Sequence, residues 1–89
     1  MFLHVGDDVV VSLKDLILIL DLRSAAHAEA TRTFLRRCAA EGRVLSGSEA
    51  NAKSVVVTRD GVHYSPISSL TLMRRANLLR QALPGQLVW

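Results

Sequence analysis

Three consecutive valines, Val55 to Val57, followed after two residues by Asp60-Gly61 and then by Val62-His63-Tyr64, constrain the chain more tightly than any other stretch. A β-branched run without polar alternation suits a strand covered on both faces. Asp-Gly between two β-rich runs fills the positive-φ positions of a two-residue type I′ turn, so the segment predicts a hairpin. Pro66 cannot donate to a ladder and stops the returning strand near Ser65. Ser68 or Ser69 then caps a helix, its oxygen accepting an orphan N–H of the first turn. Lys53 to Arg80 thus reads as strand, turn, strand and basic helix.

That helix is two-sided. At 100° per residue Leu72, Ala76, Leu79 and Leu83 form one stripe with Met73 on its flank, while Arg74, Asn77 and Gln81 point the opposite way. Arg75 and Arg80 fall on the borders, where their stems lie on apolar surface and their heads reach water. Leu78 lies on the outward side.

Upstream, Phe2 to Val5 reads as a short strand turned by Gly6-Asp7-Asp8, Val9 to Val11 resumes the extended chain, and Ser12 to Asp15 interrupts it. Leu16 to Leu20 is apolar at every position, which suits a strand buried on both faces, or on one face in the domain and on the other in a neighbour. From Ser24 the period becomes helical. Ala30, Phe34 and Cys38 share a face beside Thr31 and Leu35, with Glu29, Arg32, Thr33, Arg36 and Arg37 opposite. Gly42 ends that helix. Arg43 to Ser46 is a short strand, and Gly47 to Ala52 is an exposed loop of the kind that carries binding groups.

The expected fold is α+β: a small, mostly antiparallel sheet with two helices in the order β-β-α-β-β-β-α. Residues 1–89 make a single domain, with 83–89 as a loose carboxy-terminal tail or with Trp89 docked on a neighbouring subunit. A domain of 89 residues buries only about 60% of its unfolded surface. An apolar share of 49% is high for so short a chain, so part of that surface is expected to be covered by other copies.

Charge is segregated along the chain. Residues 1–22 hold Asp7, Asp8, Asp15 and Asp21 against Lys14, whereas the remainder holds ten basic residues against Glu29, Glu41, Glu49 and Asp60. The basic part is a candidate surface for anions or nucleic acid, although Arg32, Arg36 and Arg37 also read as a solvated helix face. Catalytic and metal chemistry have little to stand on. Cys38 is alone and sits on an apolar face, His4, His27 and His63 are dispersed, and the five glycines form no phosphate loop. Asp7 and Asp8 read as a solvated turn. No enzyme activity, metal or cofactor is expected, and neither is a small-molecule substrate. Without a basic segment leading into an apolar stretch there is no signal peptide, and Leu16 to Leu20 is too short to span a bilayer, so a cytoplasmic protein with no membrane partner is expected.

The opening FLHVGDDVVVSLKDLILILDL, the central KSVVVT and the segment HYSPISSLTLMRRA together resemble the small bacterial extracellular-matrix regulators RemA and RemB, closer to the RemB branch. The resemblance runs from Phe2 to about Leu79. It implies a cytoplasmic, DNA-binding transcription regulator of biofilm-matrix genes, assembled as a ring-shaped homo-oligomer of about seven or eight subunits with DNA on the basic outside. In the RemA branch the DNA-contacting arginines lie after the first glycine turn and in the loop before the central strand. Those positions hold Asp15, Ala50 and Asn51 here. The cations left to meet the DNA backbone are Lys14, Lys53 and Arg59, with Arg74 and Arg75 on the last helix. The alternative is an oligomeric scaffold, or a protein-binding partner of such a regulator, that does not bind DNA.

Overall fold

Val56 faces one hydrophobic core while Val55 and Val57 face another, so the triple-valine strand is the wall between the two. The computed structural model describes residues 1–25 and 27–81. Its strands are β1 (Phe2–Gly6), β2 (Val9–Ser12), β3 (Leu16–Asp21), β4 (Val44–Ser46), β5 (Ser54–Thr58) and β6 (Val62–Ser65). Its helices are α1 (Leu22–Ala25), α2 (Glu29–Ala40) and α3 (Ser69–Gln81), and a 3-10 turn spans Glu49–Asn51. The α+β class and the expected order hold, with the amino-terminal extended run divided into β1 and β2.

Strands β1 and β2 form a separate antiparallel hairpin. The larger sheet has the order β3-β5-β6-β4, antiparallel except for the parallel pair β4 and β6. The hairpin and α3 cover one face of that sheet, where Leu3, Val5, Val11, Leu16, Val56, Leu72 and Ala76 are buried together. Helix α2 covers the other face, where Leu35 and Cys38 meet Val55, Val57, Val62 and Tyr64. Every residue of β5 is buried, as the β-branched run predicts. The buried serines and threonine of the two central strands are satisfied where they lie, which burial requires. Ser54 Oγ donates to the Ile67 carbonyl at 2.7 Å, Thr58 Oγ1 to that of Gly61 at 2.9 Å, and Ser65 Oγ to that of Val5 at 2.5 Å. The last of these ties the end of β6 to the hairpin.

Four expectations are corrected. The β5–β6 connection is a three-residue loop, Arg59 to Gly61, rather than a two-residue type I′ turn. Within that loop positive φ occurs at Gly61 and not at Asp60. The cause is β4: Arg43 O accepts the Val62 N–H at 2.9 Å, and a Cβ on Gly61 would lie 2.2 Å from that same oxygen. Second, of the two arrangements expected for Leu16 to Leu20, burial on both faces within the chain does not hold, which leaves the one with a face turned to a neighbour. Strand β3 is an edge strand with a register shift between Leu16 and Leu18, and Ile17 and Leu18 are 56% and 43% exposed. Third, the helical segment from Ser24 divides into α1 and α2. Fourth, the apolar face of α2 is centred on Leu35 and Cys38, with Thr31 half-buried beside them, while Ala30 and Phe34 are exposed. Successive turns from Thr31 to Leu35 to Cys38 follow the i, i+4, i+7 line that meets the sheet.

The terminal signals behave as expected. Ser68 Oγ accepts the Thr71 N–H at 3.2 Å and so caps α3, and Gly42 follows α2 with φ +70°. On α3, Leu72 and Ala76 are buried and Leu79 packs beside them. Leu83, the tail and Trp89 lie outside the described residues.

Candidate nucleic-acid interface

Strand β5 carries a cation at each end because Lys53 precedes it and Arg59 follows it. Its five residues put those two positions six steps, or about 20 Å, apart. At the Arg59 end, the Arg59 N–H donates to the Asp15 carbonyl at 3.0 Å, which seats the β5–β6 loop against the turn between β2 and β3. Lys14 is exposed on that same turn. Lys14 and Arg59 thus lie on adjoining turns joined through the Asp15 backbone, with Asp15 itself half-buried.

At the other end, the Lys53 N–H donates to the Ser65 carbonyl at 2.8 Å and the Lys53 carbonyl accepts the Leu22 N–H at 3.1 Å. These bonds fix the backbone while the lysine side chain remains exposed. The register that pairs Asp21 with Ser54 carries the chain into α1 directly beside Lys53. A cleft of about 500 Å³ results, lined by Asp21, Arg23, Lys53, Ser68 and Ser69 among others. Two cations therefore share a cleft with the first turn of α3, where Ser68 takes up the Thr71 N–H and the preceding N–H groups and the positive dipole end favour anions. The Asp21 carboxylate is engaged locally: it accepts from the Arg23 N–H at 3.1 Å and the Ser24 hydroxyl at 3.3 Å, capping α1. Its negative charge offsets part of the local cationic field.

Arg74 and Arg75 are exposed on α3. Arg75 borders a shallow groove shared with Phe2, His4 and Leu78, away from the Lys53 cleft. The five sequence candidates consequently fall into three places rather than one patch. Arg23 was not singled out from the sequence. Nothing local marks it, since its position beside Lys53 comes from the pairing of β3 with β5.

The loop before β5 is exposed and contains the 3-10 turn, with Ser48 Oγ accepting the Ala50 N–H at 3.2 Å. Asn51 lines a cleft with Asp7, Ser46 and Ser48. On the α2 face, burial raises the Tyr64 phenol above its ordinary value, with Glu49 and Cys38 adding to it, so it stays neutral at pH 7. Among the described residues no three His, Cys, Asp or Glu side chains group as a metal site, and no helix is long and apolar enough to cross a membrane.

Fold and surface together define a small α+β domain with exposed cations at both ends of its central strand. The chain belongs to the RemA-like family, described as "Extracellular matrix regulatory protein A-like", whose match covers residues 2–76. It is 37% identical over 79 residues to Extracellular matrix regulatory protein B of Bacillus subtilis (strain 168), spanning 89% of this chain and 94% of that protein. The resemblance to the RemB branch read from the sequence is thereby established.

Proposed function

We propose that this protein is a cytoplasmic regulator of extracellular-matrix and biofilm genes that binds the DNA backbone as a ring-shaped homo-oligomer, and that it catalyses no reaction. The observation that carries the reading is the meeting of Lys53 and Arg23 at the first turn of α3. Two cations beside the N–H groups of a helix start match a phosphate oxygen in charge and in hydrogen bonding. Lys14 and Arg59 supply a second contact at the far end of β5, and Arg74 a third on α3. A single subunit with formal charge +3 holds DNA weakly. Repetition around a ring of about seven or eight subunits raises the effective concentration of each contact, provided the DNA bends to meet them. The family relationship supports the regulatory role.

The test is the double variant Lys53→Ala/Arg59→Ala, titrated against a duplex long enough to reach several subunits, with the particle mass followed in parallel. We expect at least a tenfold loss of affinity, about 1.4 kcal/mol, with the mass unchanged. Affinity equal to wild type overturns the assignment of these contacts.

A second reading is an oligomeric scaffold or protein-binding partner that ignores DNA. It is favoured by Asp15, which places a carboxylate at the Lys14 and Arg59 end where a phosphate would lie. A wild-type oligomer that leaves the duplex free at low salt selects it.

A further inference from the structure

The outer face of the β1–β2 hairpin is not built like a solvated surface. Leu3, Val5 and Val11 turn into the core, which leaves Phe2, His4 and Val10 outside, the last two paired across the strands. Phe2 is 64% exposed and Val10 54%. Beside them α3 leaves Leu78 66% exposed, and Phe2, His4, Arg75 and Leu78 line an open groove of about 440 Å³. Among the described residues, the lining of that groove includes Arg75 and no Asp or Glu.

A second apolar patch of opposite electrostatic character lies on the edge strand. Ile17 and Leu18 are exposed where the β3 register shifts, and Asp15 and Asp21 bracket the strand. Among the described residues, the hydrogen-bonding side of β3 that faces away from β5 has no neighbour within the sheet. An unpaired edge carrying exposed large aliphatics is a surface that proteins ordinarily blunt or cover.

We propose that the groove between the hairpin and α3 receives the β3 edge of a second copy of this chain. Ile17 and Leu18 are the apolar anchors, Phe2, Val10 and Leu78 are the surface they cover, and Arg75 faces the acidic ends of the incoming strand. Groove and strand are different surfaces of one subunit, so the contact is head-to-tail. Repetition of such a contact closes a ring when the rotation allows it. The proposal rests on the homo-oligomer reading above and deepens it, and it gives Arg75 to the subunit contact rather than to DNA.

The mass of the full chain, measured by light scattering without DNA, tests the proposal with two variants. Leu78→Asp spoils the groove and leaves the strand intact, and Leu18→Asp does the reverse. We expect wild type to be a multimer, each variant a monomer, and an equimolar mixture a dimer, because one intact strand then meets one intact groove. A variant that keeps the wild-type mass overturns the proposal, as does a mixture that stays monomeric or a wild type that is itself monomeric. Both positions are exposed, so folding is expected to survive and is checked by circular dichroism. Should an aspartate variant unfold, Leu78→Ser or Leu18→Ser takes its place under the same criteria. A wild-type multimer that ignores DNA removes only the nucleic-acid reading, whereas a monomeric wild type removes this one.

Discussion

At Gly47 the backbone has φ +79°, and a Cβ there would stand 2.1 Å from the Tyr64 carbonyl oxygen. Relief requires the main chain itself to move, because the obstructing atom belongs to the backbone of β6. Gly42 offers the contrast: φ is +70°, but nothing lies within 4 Å of its imagined Cβ. Gly42→Ala therefore costs about 1 kcal/mol, the conformational preference alone. Gly47→Ala adds the collision and is expected to cost about 3 kcal/mol. Urea unfolding of the two variants reads the difference, and equal midpoints would show that β6 yields at no cost. Gly42 announced itself as a helix terminator, whereas the close approach at Gly47 depends on a strand seventeen positions away in the chain.

Between elements, the parallel pair β4 and β6 carries one titratable contact. Ser46 Oγ lies 2.7 Å from His63 Nδ1, and burial lowers the imidazole from its ordinary value of 6.5. A ring that resists protonation when folded takes up its proton more readily when unfolded. Its contribution to stability is complete above pH 6.5 and is lost as the pH falls from there toward the lowered folded value. Thermal melts between about pH 8 and pH 5 should show a declining Tm on the acid side, and His63→Gln should flatten that part of the profile. An unchanged slope in the variant would assign the decline to other groups. The strand identity of β5 was legible from its β-branched run, and those of β4 and β6 from short extended stretches bounded by Gly and Pro. The parallel placement of β4 beside β6 was not, and it is what replaces the expected type I′ turn with a longer loop shaped by Arg43.

Over the whole molecule, the charge segregation seen along the chain becomes a distribution of separate cationic contacts. If DNA binding is backbone-directed, log K should fall linearly with log salt, with a slope near −0.9 for each phosphate neutralised. A titration at several salt concentrations measures that number. Affinity that is flat from low to moderate salt would count against phosphate contacts altogether. Lys14, Lys53 and Arg59 were singled out through the family resemblance, and Arg74 and Arg75 through helix phase. Their division into three places, and the recruitment of Arg23, follow from the way β3 pairs with β5.

Local chemistry in the chain decided what each segment is. Valine runs make strands, a 3.6-residue period makes helices, Ser68 starts α3 and Pro66 ends β6, because steric preference and capping act over a few neighbouring residues. Tertiary pairing decided what each segment meets. An apolar run such as Leu16 to Leu20 states that its side chains avoid water but does not name their partner, and only the sheet order reveals β3 as an edge with Ile17 and Leu18 uncovered. The same holds for Phe34 and Leu35, neighbours on one helix whose burial differs because the sheet meets only one line of α2. Periodicity specifies a face, and long-range contacts specify what covers it.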